Sequence, residues 1–221
     1  MNPLDSNSKS RTLVVGLGSF HGDDRAGWNV IDRLERLPLP GVELRKAMIP
    51  LDILDWIDAH CSLHLIDACA CADSPKPPDP ITPFRLKLVA PDGDAALQSP
   101  LQSPLQSRLP EYTVPITSLH FRGVFSPDSP EISFERPVEL RSAGSHQIDA
   151  LTVLQLSARF GSLPKHVVIW GIPGTGFAPG EVLSTDCETA VSNCVDQMSL
   201  ELQLVSASLS LLDAVGESVK S

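Results

Sequence analysis

The chain has 221 residues, with 27 Asp and Glu against 17 Lys and Arg, and a formal net charge of −10. That balance excludes nucleic-acid binding, which needs clustered cations to displace counterions, and no apolar run reaches the roughly 18 residues of a membrane span. The length suits one domain, residues 1–221, with a single core and room for a sizeable insertion.

The opening Met1-Asn2-Pro3-Leu4-Asp5-Ser6 lacks the basic run and apolar core of an export signal. It reads as a polar tail and predicts a cytoplasmic protein. Residues 12–17 form a short apolar run closed by glycine, the pattern of a strand buried on both faces. Val30, Ile31, Leu34 and Leu37 then recur at helical spacing within 26–37, with Asp32, Arg33, Glu35 and Arg36 opposite, until Pro38 and Pro40 end the helix. A second strand at 42–47, a second helix at 51–59 opened by Pro50, and an almost wholly apolar third strand at 63–68 follow.

From Asp73 the composition changes. Pro75, Pro77, Pro78, Pro80 and Pro83 precede a Leu-Gln-Ser-Pro repeat over 97–107, which favours extended, polyproline-like chain and predicts a mobile loop at 95–110. Strands or an added hairpin are expected at 84–89, 112–124 and 132–134. Helical patterning resumes at 147–160, ended by Gly161, and 166–170 reads as another buried strand. Thr185 is the expected cap of a long C-terminal helix, with Glu188 completing a capping box. Its core stripe is Val191, Val195, Met198, Leu202, Val205, Leu209 and Leu212. This alternation predicts a three-layer αβα fold around a mostly parallel sheet, interrupted by a Pro-rich loop or hairpin insertion at about 73–140.

Five cysteines without an export signal imply reduced thiols. Cys187 and Cys194 read as core residues. His60, Cys61, His64, Cys69 and Cys71 crowd one segment, but a strand alternates its side chains between faces, so the five do not converge on one zinc ion.

The chemistry-bearing stretch is Gly16-Leu17-Gly18-Ser19-Phe20-His21-Gly22-Asp23-Asp24-Arg25-Ala26-Gly27. A dinucleotide-binding Gly-x-Gly-x-x-Gly would need glycine where His21 stands, and Asp23 and Asp24 would repel a pyrophosphate at the helix N-terminus. Gly16, Gly18 and Gly27 read as turn and packing glycines, and Asp23 as a support for the loop. Ligands of open parallel sheets bind outside the carboxyl ends of the strands. Asp24, Asp67 and His146 each occupy such a loop, and imidazole with carboxylates suits nickel or zinc. Simpler readings stand beside this one: Asp24 as a helix-dipole partner, Asp67 as a cap for a backbone amide, and His146 as a first-turn surface residue. No serine sits on a nucleophile elbow, and no cysteine has an evident histidine partner.

The stretch resembles the opening of the hydrogenase maturation proteases, whose pattern runs Gly-x-Gly-Asn, a short loop, then Asp-Asp/Glu-Gly-x-Gly before the first helix. Ser19 stands here for the Asn and Arg25 for the Gly. Leu65-Ile66-Asp67-Ala68, Ser145-His146 and Val167-Val168-Ile169-Trp170-Gly171-Ile172-Pro173 resemble three further motifs of that family, in order. The likeness covers roughly residues 12–71 and 142–212. It implies an endopeptidase that removes the C-terminal extension of a nickel-iron hydrogenase large-subunit precursor after nickel insertion. Asp24, Asp67 and His146 would be both the catalytic and the metal-binding residues, meeting nickel presented by the substrate, with zinc as a stand-in in vitro. The implied partner is that precursor, with no nucleic acid and no membrane, and the chain would act as a monomer. The Arg25 substitution and the insertion leave two rivals: a metal-dependent hydrolase with another substrate, and a non-catalytic assembly or metal-sensing partner.

Overall fold

The computed structural model describes residues 12–57, 60, 62–70, 81–89, 111–115 and 150–218. Six strands form one sheet: β1 (Thr12–Leu17), β2 (Val42–Ala47), β3 (Ser62–Ala70), β4 (Phe84–Val89), β5 (Glu111–Pro115) and β6 (His166–Gly174). Their spatial order is β2-β1-β3-β6-β4-β5. The first four in that order run parallel. β4 joins antiparallel to β6, and β5 lies parallel to β4. The two strands from the insertion are therefore not the arms of a hairpin, because parallel neighbours need a crossover rather than a tight turn.

Every residue of β1 is buried, as expected of a strand covered on both faces. Its alternation sorts the core into two layers. Leu13, Val15 and Leu17 pack with Leu63, Leu65, Val167 and Ile169 under α2 (Ala150–Phe160) and a 3-10 segment, Pro50–Asp55. Val14 packs with Ile66, Trp170 and Ile172 under α1 (Ala26–Leu34) and α3 (Thr185–Ser218). These are the three layers that the alternating pattern predicts.

Three elements differ from their sequence patterns. α1 stops at Leu34, its last turn tightened as the Leu37 amide bonds the Leu34 carbonyl, although Leu37 still packs on the core. The helix expected over 51–59 is instead 3-10 over Pro50–Asp55, a segment too short to repay an α-helical nucleus. The cap of α3 is Ser184 rather than Thr185: its hydroxyl accepts from the Cys187 amide at 3.3 Å, and its carbonyl from the Glu188 amide at 2.9 Å. The Glu188 carboxylate pairs with Arg33 and so does not close a capping box. Cys187 and Cys194 are buried free thiols, and Val191, Met198 and Leu202 form the inner stripe of α3.

β4 is fastened by a polar cluster beneath α3. The Arg85 guanidinium lies 4.6 Å over the Trp170 ring and bonds Glu201 at 2.9 Å. Trp170 Nε1 donates to His64 Nδ1 at 3.1 Å, and burial, with Arg85 nearby, holds the His64 ring down at about 3 and therefore neutral. Among the described residues no helix is long and apolar enough to cross a membrane. The loop expected at 95–110, the strand at 132–134 and His146 lie outside the described residues.

Candidate active site

Backbone proximity fixes where the acidic turn sits. A Cβ on Gly16 would stand 2.3 Å from the Gly27 carbonyl oxygen, and one on Gly27 would stand 2.1 Å from that of Leu17. Only glycines allow β1 and α1 to approach this closely. The chain between them is forced over the carboxyl edge of the sheet, where residues Gly22–Arg25 make one 3-10 turn. Gly22 begins it with φ +48, and a side chain there would strike the Gly176 carbonyl at 2.2 Å.

Asp23 ties this turn to the chain between β6 and α3. Its Oδ2 accepts from the amides of Thr175 at 2.8 Å and Gly176 at 3.0 Å, and from the Ser184 hydroxyl at 2.9 Å. Its Oδ1 accepts from the Ser184 amide at 2.7 Å, while its own amide donates to the Gly176 carbonyl at 2.6 Å. Burial alone would raise its pKa, but the amides of Gly176, Ser184 and Thr175 outweigh it and hold the carboxyl below its ordinary value. The supporting role expected of Asp23 is what the structure shows. Cys187 lies close enough that burial first, and Asp23 second, push its thiol far up, so it is an inert core residue.

Asp24, the next residue, is 1% exposed. Its amide donates to the His21 carbonyl at 3.1 Å, and its carbonyl accepts from the Ser19 amide at 3.3 Å. Asp67, also 1% exposed, lies near the carboxyl end of β3, with Oδ1 accepting from the Ala68 amide at 2.9 Å. Burial, and then the negative charge of Asp24, push the Asp67 carboxyl up to about 8 against the pull of that amide. The two carboxyls are thus close enough to repel, and the Asp67 carboxyl is held protonated at neutral pH.

Two buried oxygen-donor side chains with mutual repulsion suit a divalent cation, whose charge would relieve both the burial penalty and the repulsion. Among the described residues no group of three His, Cys, Asp or Glu forms a metal cluster. The third expected ligand, His146, is outside them. The histidines near β3 are engaged elsewhere: His60 Nδ1 lies 2.7 Å from the Trp56 carbonyl and its Nε2 3.1 Å from Glu43, while His64 faces Trp170.

The same architecture occurs in solved structures. A hydrogenase maturating endopeptidase from E. coli aligns with TM-score 0.53 at 18% identity, covering 89% of this chain and 94% of that one. A hydrogenase 2 maturation peptidase from a Thaumarchaeota archaeon aligns with TM-score 0.50 at 20% identity, covering 87% and 98%. An endopeptidase from Escherichia coli gives 0.52 at 20%, covering 85% and 89%. The likeness shows a shared fold. No family model matches the sequence, and no curated relative matches it.

Sequence reasoning missed Ser184, whose hydroxyl both caps α3 and holds Asp23. A Ser-Thr pair ahead of Asp-x-Glu offers two candidate caps, and only the contact with Asp23, 161 residues away in sequence, decides between them. It also missed the chain at 175–184 as a wall of the acidic turn, where the signal was Gly174-Thr175-Gly176, small residues following a buried strand.

Proposed function

We propose that this chain is an endopeptidase that removes the C-terminal extension of a nickel-iron hydrogenase large-subunit precursor after nickel insertion. The observation that carries the reading is the buried Asp24–Asp67 pair at the carboxyl edge of the parallel sheet, in a fold shared with hydrogenase maturation endopeptidases. In this reading Asp24, Asp67 and His146 meet the nickel that the precursor carries, with zinc able to replace it in vitro. The chain acts as a cytoplasmic monomer.

The residues supply definite chemistry. The Asp67 carboxyl, pushed up to about 8, holds its proton near neutrality, so a small change in its surroundings lets it give that proton up and become a charged ligand. Asp24 contributes the negative charge that makes the exchange worthwhile, and Asp23 keeps the turn that bears Asp24 from shifting. A divalent cation at this place supplies Lewis-acid polarisation of the scissile carbonyl. Nickel in the precursor would then be a licence for cleavage, since without it the two carboxyls repel and one stays protonated.

Incubating the purified chain with nickel-loaded and nickel-free precursor, and weighing the products by mass spectrometry, tests the reading. Trimming of the loaded form alone is the expected result, and two intact precursors would sink it. Arg25, exposed beside Asp24 where the resembled pattern has glycine, favours one second reading: a metal-dependent hydrolase on this scaffold with a different substrate.

A further inference from the structure

The turn that bears Asp24 is held from outside itself. Among the described residues no side chain caps the 3-10 turn at His21 or α1 at Arg25. Asp23 secures one flank, against the chain between β6 and α3. Trp28 secures the other. Gly27 lets α1 touch β1, and the next side chain, roughly 100° further round the helix, reaches the end of β2. There Trp28 Nε1 donates to the Ala47 carbonyl at 3.0 Å, and the same oxygen accepts from the Gly18 amide at 3.2 Å. A carbonyl has two lone pairs, so both donors are satisfied at one atom. Gly18 in turn lies against the acidic turn: a Cβ there would stand 2.1 Å from the Asp24 carbonyl oxygen and 3.6 Å from the Trp28 ring. The Ser19 amide donates to that Asp24 carbonyl at 3.3 Å. The Phe20 ring closes edge-on against Trp28, with centroids 4.8 Å apart at 84°.

We infer that Trp28 is a positioning residue of the site, acting through Gly18 and Ser19 to fix where Asp24 stands relative to Asp67. The inference rests on the endopeptidase reading and adds to it the residue that keeps the acidic pair in register. Asp67 rides on β3, which β1 and β6 flank in the sheet, so its place is set by the ladder. Asp24 rides on a turn between elements, so the path of residues 18–24 sets the spacing of the pair. Ala47 is a firm anchor for that path, since it is buried and lies opposite Leu17 in the β1–β2 register. An indole suits the task because it joins a rigid ring, packed on Phe20, to a single donor aimed at a fixed carbonyl. Groups that must meet one reacting centre lose rate steeply when misplaced, by about a hundredfold for 1 Å.

The test uses the full chain, amide hydrogen exchange by NMR, and nickel-loaded hydrogenase large-subunit precursor. Trp28→Phe keeps a ring against Phe20 and removes only the donor, and the Ala47 carbonyl still accepts from Gly18, so the variant should fold, with a melting temperature lower by roughly 5 °C or less. Exchange at the amides of Gly18, Ser19 and Asp24 should quicken at least about tenfold, while the amides of Thr175 and Ser184, which Asp23 holds, stay at the wild-type rate. Precursor cleavage should lose at least about tenfold in kcat with KM unchanged. Trp56→Phe, at the other half-buried indole of this side, should match the wild type in both measurements. Unaltered exchange at 18, 19 and 24 in Trp28→Phe overturns the inference, and so does faster exchange with a wild-type kcat. A wild-type Trp28 indole hydrogen that exchanges as fast as a free indole overturns it without any variant. A wild type inert towards the precursor sinks the endopeptidase reading instead. Zinc affinity at pH 8 then replaces kcat: a loss of at least about tenfold in Trp28→Phe upholds the role of Trp28, and equal affinity ends it.

Discussion

Asp67 shows how burial turns a common residue into a poised one. Its folded pKa of about 8 lies above the ordinary 3.8, so the native state keeps a proton that the unfolded chain has lost. The stability linked to that proton is fully present below about 4 and is lost as pH rises through 8, at up to about 1.4 kcal/mol per pH unit. Asn at this position preserves the volume and still accepts the Ala68 amide bond, but has no proton to lose. Urea unfolding of Asp67→Asn should therefore lack that part of the wild-type decline between pH 5 and 8, and the variant should be the more stable of the two at pH 8. Precursor cleavage should vanish in the same variant, because a neutral amide cannot become a charged ligand. Cleavage at a near-normal rate would remove Asp67 from the site. Position 67 was legible because an acid follows an apolar run, although the strand continues past it to Ala70. Its elevated pKa was not, since that depends on Asp24, 43 positions earlier in sequence, folding beside it.

At the scale of elements, the sheet reads from the sequence wherever a run is buried on both faces: β1, β3 and β6 stand where short apolar runs stand. β4 and β5 were marked as strands, but their parallel pairing depends on the path of the insertion, which no local pattern encodes. The joint between the acidic turn and α3 was equally hidden, and it carries a sharp prediction. Asp23→Ala leaves three amides and one hydroxyl without their acceptor, in a buried place, and should cost about 2 to 4 kcal/mol. Ser184→Ala removes only the cap and one of those four donors, at about 1 kcal/mol. Because the two side chains share a bond, the double variant should cost less than the sum of the singles, and additivity in chemical denaturation would contradict the shared joint. The depressed pKa of Asp23 sets the sign of its pH dependence: its contribution is present above 3.8 and fades as pH falls through the lower folded value.

Across the whole molecule, the chain divides into a frame that the core determines and an insertion whose strands β4 and β5 extend the sheet while its Pro-rich repeat is read from composition. The Leu-Gln-Ser-Pro repeat cannot supply ladder hydrogen bonds at its prolines, so deleting 98–107 should change the melting temperature little. A large loss would show that the repeat packs on the frame. The frame itself should respond to cations, because it holds two repelling carboxyls at one edge. A divalent ion that binds only the folded chain adds about 2.7 kcal/mol when present at 100 times its Kd, which for a protein of this size is roughly 5 to 10 °C in melting temperature. Binding requires Asp67 to release its proton, so with nickel or zinc chloride the rise should be small at pH 6 and should grow toward pH 8. Asp67→Asn should flatten the response at every pH. A wild-type chain whose melting temperature ignores both ions at pH 8 would separate the Asp24–Asp67 pair from metal chemistry altogether.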